Sequence, residues 1–249
     1  MDADGFTVVA RARGRRRHGG RAAQGRAKGP MGGLYPAARA PSAAELQAAE
    51  DRDVERHGRA VAERRGELAR SAFGAELRAR MAAALDGFRA EEIVCYGLGS
   101  LASSVSQWQA ALVAALSESL GAPVLAFDPA TTASDARVLR ALGVAEIAEN
   151  EQARRRAARP TLFFMPHCEQ FLYENVVAAN QPAAQLARIA IIGNPLGRYC
   201  EAPHIGRALP MARETRLPDE ALLGQRTRPY AFSDTCITRF GAAEQRQWQ

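Results

Sequence analysis

No stretch of this 249-residue chain is apolar for long enough to span a bilayer, and its N-terminus has no apolar core of the kind that opens a secretory signal. Four cysteines are present (Cys95, Cys168, Cys200 and Cys236), but none forms a Cys-x-x-Cys pair and none is followed by proline. A haem-regulatory Cys-Pro motif is therefore excluded. Reduced thiols in a cytosolic or nuclear protein are the expected state. Acidic residues are missing from one whole segment. Arg11, Arg13, Arg15, Arg16, Arg17, Arg21, Arg26 and Lys28 follow one another with no acid among them, and the chain as a whole carries a net charge of +6. Such a run repels itself and attracts polyanions, so nucleic acid, an acidic protein face or a membrane surface would all suit it. A solubilising tail or a nuclear address fits as well. Neither zinc-finger spacing nor an aromatic-rich RNA-binding strand accompanies the arm.

What is present is distributed unevenly. Hydrophobic residues make up 47% of the chain, a globular share, but the larger ones gather after about residue 90. Residues 6–10 (FTVVA) form a short, isolated β-like run. From there to residue 42 the chain is rich in Gly, Ala, Arg and Pro, and a flexible basic arm is expected over residues 1–42. Residues 43–90 form a helical extension, proline-free to residue 88 and rich in Ala, Glu, Arg and Leu. Its mostly alanine face predicts weak packing. Ser42 and Glu45 have the spacing of a capping box.

From residue 91 to 240 short apolar runs alternate with helical patterns. IVCYG (93–97), VLAF (124–127), VAEI (144–147), TLFFM (161–165) and RIAIIG (188–193) read as strands. Between the first two, Val105, Trp108, Leu112, Leu116 and Leu120 recur at helical spacing until Gly121 and Pro123. Helices are also expected over residues 132–142 and 170–180. CITRF (236–240) reads as a last strand at the sheet edge, and residues 241–249 as a flexible tail. The pattern predicts an α/β, Rossmann-like three-layer domain with a mostly parallel sheet. Its polar turns after Gly97, Phe127, Met165 and Ile192 should then share the rim where such sheets bind ligands.

All four turns carry candidate chemistry. In GLGSLA, Gly97, Gly99 and Ala102 match a G-x-G-x-x-G/A pattern at a strand-to-helix junction, where backbone can approach a phosphate. Asp128 closes the second strand and could accept hydrogen bonds from ribose hydroxyls. The same positions suit S-adenosylmethionine or a nucleotide, and a tight turn needs the glycines equally. Ser100 joins this cofactor-binding set by position, although Ser100 and Ser103 also read as helix caps. In MPHCE, His167 and Cys168 stand at a strand-to-helix turn, as nucleophile, metal ligands or a structural turn with a buried thiol. Cys200 and His204 could complete a metal site, against which Pro203 interrupts any helix between them. Asn194, after the fifth strand, could bond a base or its own turn.

Taken together, VCYGLGS, LAFDPATTASDARVLRALG, TLFFMPHCEQFLYENVVAAN and IIGNPLGRY, in that order, resemble the SENSITIVITY TO RED LIGHT REDUCED family. The resemblance covers about residues 91–200, reaches AFSDTCITRF, and extends weakly to DGFTVVARARGRRR. It implies a regulatory protein. Plant members act in light signalling and the circadian clock, animal members in haem biosynthesis regulation and clock-gene expression, and the fungal relative in microtubule-related phenotypes. Nuclear and cytoplasmic locations are implied too. The family's marked positions fall here on Gly97, Gly99, Asp128, Pro129, Met165, Pro166, His167, Cys168, Tyr173, Asn180, Gly193, Asn194, Tyr199, Asp234 and Phe240. This chain departs from the family where GNPL replaces GNSF, at Pro195 and Leu196, and where Gln181 replaces a tryptophan. The leading expectation is a regulator with protein partners and a small-ligand pocket. An S-adenosylmethionine- or nucleotide-dependent enzyme, and a haem or metal sensor built on His167 and Cys168, are the alternatives.

Overall fold

In a computed structural model of the chain, residues 39–224 and 229–241 are described. The expected basic arm up to residue 38, including FTVVA, lies outside them, as does the tail after residue 241. The chain divides into two units between Leu46 and Gln47. In the described part of the first, the Ser42 backbone N–H donates to Glu45 Oε2 at 2.6 Å and the Glu45 N–H to Ser42 Oγ at 3.3 Å, the reciprocal bonds of a capping box.

The remainder is an α/β assembly. Residues 43–88, read as helical, form α1 (Ala43–Arg70) and α2 (Ala72–Ala84), with Ser71 capping the second through the Gly74 N–H. Then come β1 (Glu92–Tyr96), α3 (Ser104–Leu120), β2 (Val124–Phe127), α4 (Ala133–Ala141), β3 (Val144–Glu146), β4 (Thr161–Met165), α5 (Gln170–Ala179), α6 (Ala183–Leu186), β5 (Ile189–Gly193), α7 (Pro203–Ala208), β6 (Ala212–Arg216) and β7 (Cys236–Phe240). The strands form one sheet in the order β3-β2-β1-β4-β5-β7-β6. β1 to β5 are mutually parallel, and β7 runs against both of its neighbours.

Alternation along the strands builds the core on both faces of the sheet. Ile93, Cys95, Leu162, Phe164 and Ile192 join one apolar cluster with residues of α1, α2, α3 and α4. Val94, Tyr96, Phe163, Met165 and Ile191 join a second with α5, α6 and α7. Burying a strand on both sides is why these runs are almost continuously apolar.

Two expectations change. CITRF is not an edge strand, because β7 lies between β5 and β6. The edge is β6, ARETR, which no sequence pattern announced: only half-buried and exposed positions occur along it, so it has no apolar face to read. Packing of the helical pair is not weak either. Phe73, Leu77 and Met81 recur every four residues, forming one buried stripe on α2 among the smaller alanines. As expected, no helix runs from Cys200 to His204: α7 begins only at Pro203, whose missing N–H costs nothing at a first helical position.

Candidate functional site

The ends of β1, β2, β4 and β5 meet at one rim, and hydrogen bonds run from turn to turn across it. Toward β2, Gly97 and Gly99 hold left-handed backbone, with φ of 75° and 73°. A β-carbon on Gly97 would stand 2.5 Å from Cys168 Sγ, so a side chain is excluded there by both conformation and space. The Gly99 N–H donates to Asp128 Oδ2 at 2.7 Å, and the other carboxylate oxygen accepts from the Ala130 N–H at 2.7 Å. The carboxylate thus closes its own turn and reaches over to the glycine turn.

Beside Asp128 a cavity of about 310 Å³ opens between β2, β3 and α4. Ala126, Phe127, Leu139 and Val144 supply apolar wall, and Arg140 and Glu146 add charge at the margin. This is the lower end of the ~300–1,000 Å³ range of small-molecule sites. α4 is held by a capping box in which Asp135 Oδ2 accepts from the Thr132 N–H at 3.1 Å and Thr132 Oγ1 from the Asp135 N–H at 3.2 Å. The other Asp135 oxygen meets His57 Nδ1 of α1 at 3.1 Å, and both side chains are buried. Burial pulls the Asp135 carboxyl upward, but the Thr132 backbone bond, the hydroxyls of Ser100 and Thr132 and the His57 ring outweigh it and hold the group below the usual carboxylate range. Ser100 Oγ accepts from the Ala102 N–H at 3.2 Å within the glycine turn. The helix cap proper is Ser103, whose oxygen accepts from the Val105 N–H.

Toward β5 the rim is closed. Met165-Pro166-His167-Cys168 makes a tight turn, with His167 at φ 59° and the Cys168 N–H returning to Met165 O. Proline followed by a left-handed residue is the order a type II turn needs. The non-glycine residue is held there by Asn194, whose Oδ1 accepts from the His167 N–H at 2.9 Å. Asn194 Nδ2 donates to Cys168 O at 3.2 Å and to the Tyr199 hydroxyl at 2.9 Å. Tyr173, fully buried, donates its hydroxyl to Met165 O and accepts from the Asn194 N–H at 2.8 Å. Gly193 makes this possible, because a β-carbon there would stand 2.7 Å from the tyrosine ring.

His167 and Cys168 are adjacent but differently engaged. The Cys168 thiol is buried under the glycine turn and donates to Tyr96 O at 3.3 Å. Burial, then the charges of Asp128 and Glu169, pushes its pKa up, so the group is a thiol and not a thiolate. The His167 ring lies 3.1 Å from Ala231 O through Nε2. The buried amide of Gln109, which no sequence pattern singled out, donates to that same carbonyl at 3.0 Å. Cys200 is exposed with its Sγ toward Glu201, and His204 lies at the start of α7. Among the described residues no group of three or more His, Cys, Asp or Glu side chains is placed to hold a metal ion. None of their helices is long and apolar enough to cross a membrane.

Asn180, another of the motif residues, braces from below. Its Oδ1 accepts from the Ala157 N–H at 2.9 Å, and its Nδ2 donates to Arg155 O and Val176 O.

Fold and rim together define an α/β protein with one braced and one cavity-bearing half to its strand ends. The SRR1 domain model matches residues 74–239, more than half of the chain, and the protein belongs to that family. It is similar to Protein SENSITIVITY TO RED LIGHT REDUCED 1 of Arabidopsis thaliana, 40% identical over 114 residues, 44% of this chain and 42% of the relative. It is similar also to the SRR1-like protein of Mus musculus, 39% identical over 106 residues, 41% of this chain and 43% of the relative. The SRR1-like protein of Drosophila melanogaster is 29% identical over 145 residues, 55% of this chain and 52% of the relative. The matched segment thus spans less than half of the plant and mouse proteins. No solved structure gives a significant match.

Proposed function

We propose that this chain is a regulatory protein of light-responsive signalling whose α/β core binds an adenosine-containing ligand at the cavity-bearing half of the rim. The signalling part is carried by the likeness to the Arabidopsis protein whose name is sensitivity to red light reduced. The clock and haem-biosynthesis roles, and a nuclear and cytoplasmic location, extend the same family likeness.

The ligand part is carried by one observation: a carboxylate at the end of β2, bonded to the glycine turn after β1, at the mouth of a cavity. Residues present there fit such a group. Left-handed glycines bring backbone close to the rim, apolar side chains suit a flat base, and Asp128 suits ribose hydroxyls. The strand order supports a Rossmann-like reading. Its β3-β2-β1-β4-β5 portion follows the order of the doubly wound fold, whose ligands bind outside the carboxyl ends of the strands where the order reverses. That order favours, as second reading, an enzyme in which His167, on the turn after β4, faces a substrate. A haem or metal held by His167 and Cys168 draws less support, since the thiol is buried and bonded to Tyr96 O, and among the described residues no group of three or more His, Cys, Asp or Glu side chains is placed to hold a metal ion.

Native mass spectrometry of the full chain tests the ligand. With S-adenosylmethionine, adenosine, ATP and NAD added in turn, a one-to-one adduct is expected with at least one, and it should be lost in Asp128→Asn. A folded protein that takes up none of the four overturns the ligand part and leaves a regulator acting through protein partners.

A further inference from the structure

The glycine turn looks like a phosphate cradle in sequence, but the N–H groups of both its glycines are already taken. A phosphate cradle works because backbone N–H groups at a helix start point outward, unpaired, at the anion. Here the Gly97 N–H donates to Phe127 O, the Gly99 N–H to Asp128, the Ala102 N–H to Ser100 Oγ, the Ser103 N–H to Ser100 O and the Val105 N–H to Ser103 Oγ. The helix itself begins at Ser104. Its positive end is therefore removed from the glycines by several residues, and it falls off within the first turn.

Charge points the same way. The group seated on the turn is a carboxylate 2.7 Å from the Gly99 nitrogen, where a cradle would seat phosphate oxygens. Glu146 brings a second carboxylate to the cavity, against the single guanidinium of Arg140. Asp128 does retain acceptor capacity. An ionised carboxylate accepts at about four lone-pair positions, and each Asp128 oxygen has one backbone N–H on it. The remaining lone pair on each oxygen suits the two neighbouring hydroxyls of a ribose.

From this geometry we infer that the site, if it takes the adenosine-containing ligand proposed above, selects an unphosphorylated nucleoside. Adenosine itself, or an adenosine whose 5′ substituent is neutral or cationic such as a sulfonium, fits, whereas nucleoside polyphosphates and dinucleotides are rejected. Asp128 has two tasks in this arrangement: it receives the ribose hydroxyls and repels a phosphate from the turn.

Isothermal titration calorimetry of the full chain with adenosine, S-adenosylmethionine, ATP and NAD reads this directly. Adenosine and S-adenosylmethionine should bind at least roughly tenfold more tightly than ATP or NAD, as expected for a like charge at close range. Asp128→Asn should weaken adenosine and shrink the gap to ATP. ATP or NAD binding as tightly as adenosine, or tighter, overturns the selectivity while leaving an adenosine site in place. Binding of none of the four removes the site itself, and the selectivity falls with it. Because Asp128→Asn could disturb the turn, Glu146→Gln serves as a second variant. It should narrow the same gap without touching the glycine turn, and an unchanged gap in both variants, with adenosine still bound, counts against the charge argument.

Discussion

The two halves of the rim are built from similar-looking motifs and do different things. On the β4–β5 half, Tyr173, Asn194 and the backbone of the Met165–Cys168 turn bond to one another and to Tyr199, the His167 and Cys168 side chains reach the Ala231 and Tyr96 carbonyls, and Gly193 is left bare so that the tyrosine fits. On the β1–β2 half, Asp128 makes two backbone bonds and still borders an opening. A short motif of Gly, Asp, His, Cys and Asn does not by itself say which residues meet a ligand. Some hold the rim rigid so that others can. The contrast has a physical root. A buried polar group must find a partner or cost the fold about 1–3 kcal/mol, so the closed half had to pair everything within itself. A group facing a cavity has no such obligation.

The sharpest way to break the contrast is to overfill the braced half. Gly193→Ala sets a β-carbon against the Tyr173 ring and forces the ring off its two hydrogen bonds. A loss of about 3 kcal/mol, from overpacking and unpaired buried groups together, is expected in urea unfolding followed by circular dichroism. A loss below 1 kcal/mol would mean the tyrosine has room to move.

Asp135→Asn probes the base of α4, one wall of the cavity. The wild-type carboxyl is held below its ordinary value, so its contribution is fully present above the unfolded pKa of about 3.9 and is lost as pH falls through the folded value. The variant should be less stable by about 2 kcal/mol at pH 7. The two proteins should converge as the pH drops below 4, measured as denaturant midpoints across the range. A gap that persists at pH 2.5 would assign the loss to packing.

Least costly to the fold should be Asp128→Asn. The amide oxygen retains one acceptor for the Gly99 or Ala130 N–H, so thermal unfolding should change by no more than about 1 kcal/mol. A loss matching that of Gly193→Ala would put Asp128 in the brace and abolish the distinction between the halves.

Much of this architecture was legible beforehand. β1, β2, β4 and β5 were readable because each is an apolar run ended by Gly, Pro or Asp, β3 because its short run follows the helix stop at Gly143, and α3 because its apolar residues keep helical spacing up to Gly121. β6 was not, since an edge strand of Ala, Arg, Glu and Thr needs no apolar face. Nor could CITRF reveal that it sits inside β6, because strand order is decided by partners distant in sequence. At the site, the shared rim that brings the glycine turn beside Asp128 followed from the rule that parallel strands gather their C-terminal turns. Which motif residues are braces did not follow. That depends on where Gly193 leaves space for Tyr173, and on pairs such as His57 with Asp135, 78 positions apart and without any local signature.

The placement of β7 has a consequence for synthesis. β6 is made first but, among the described residues, its only partner in the sheet is β7, and β5 likewise waits for β7 on its outer side. During translation, at about 5–20 residues per second, the ribosome must add the twenty-odd residues between Arg216 and Phe240 while two strand edges stand open. Sensitivity to any stop before Cys236 is built into the strand order: a nascent chain ending there would carry β5 and β6 without the strand that joins them.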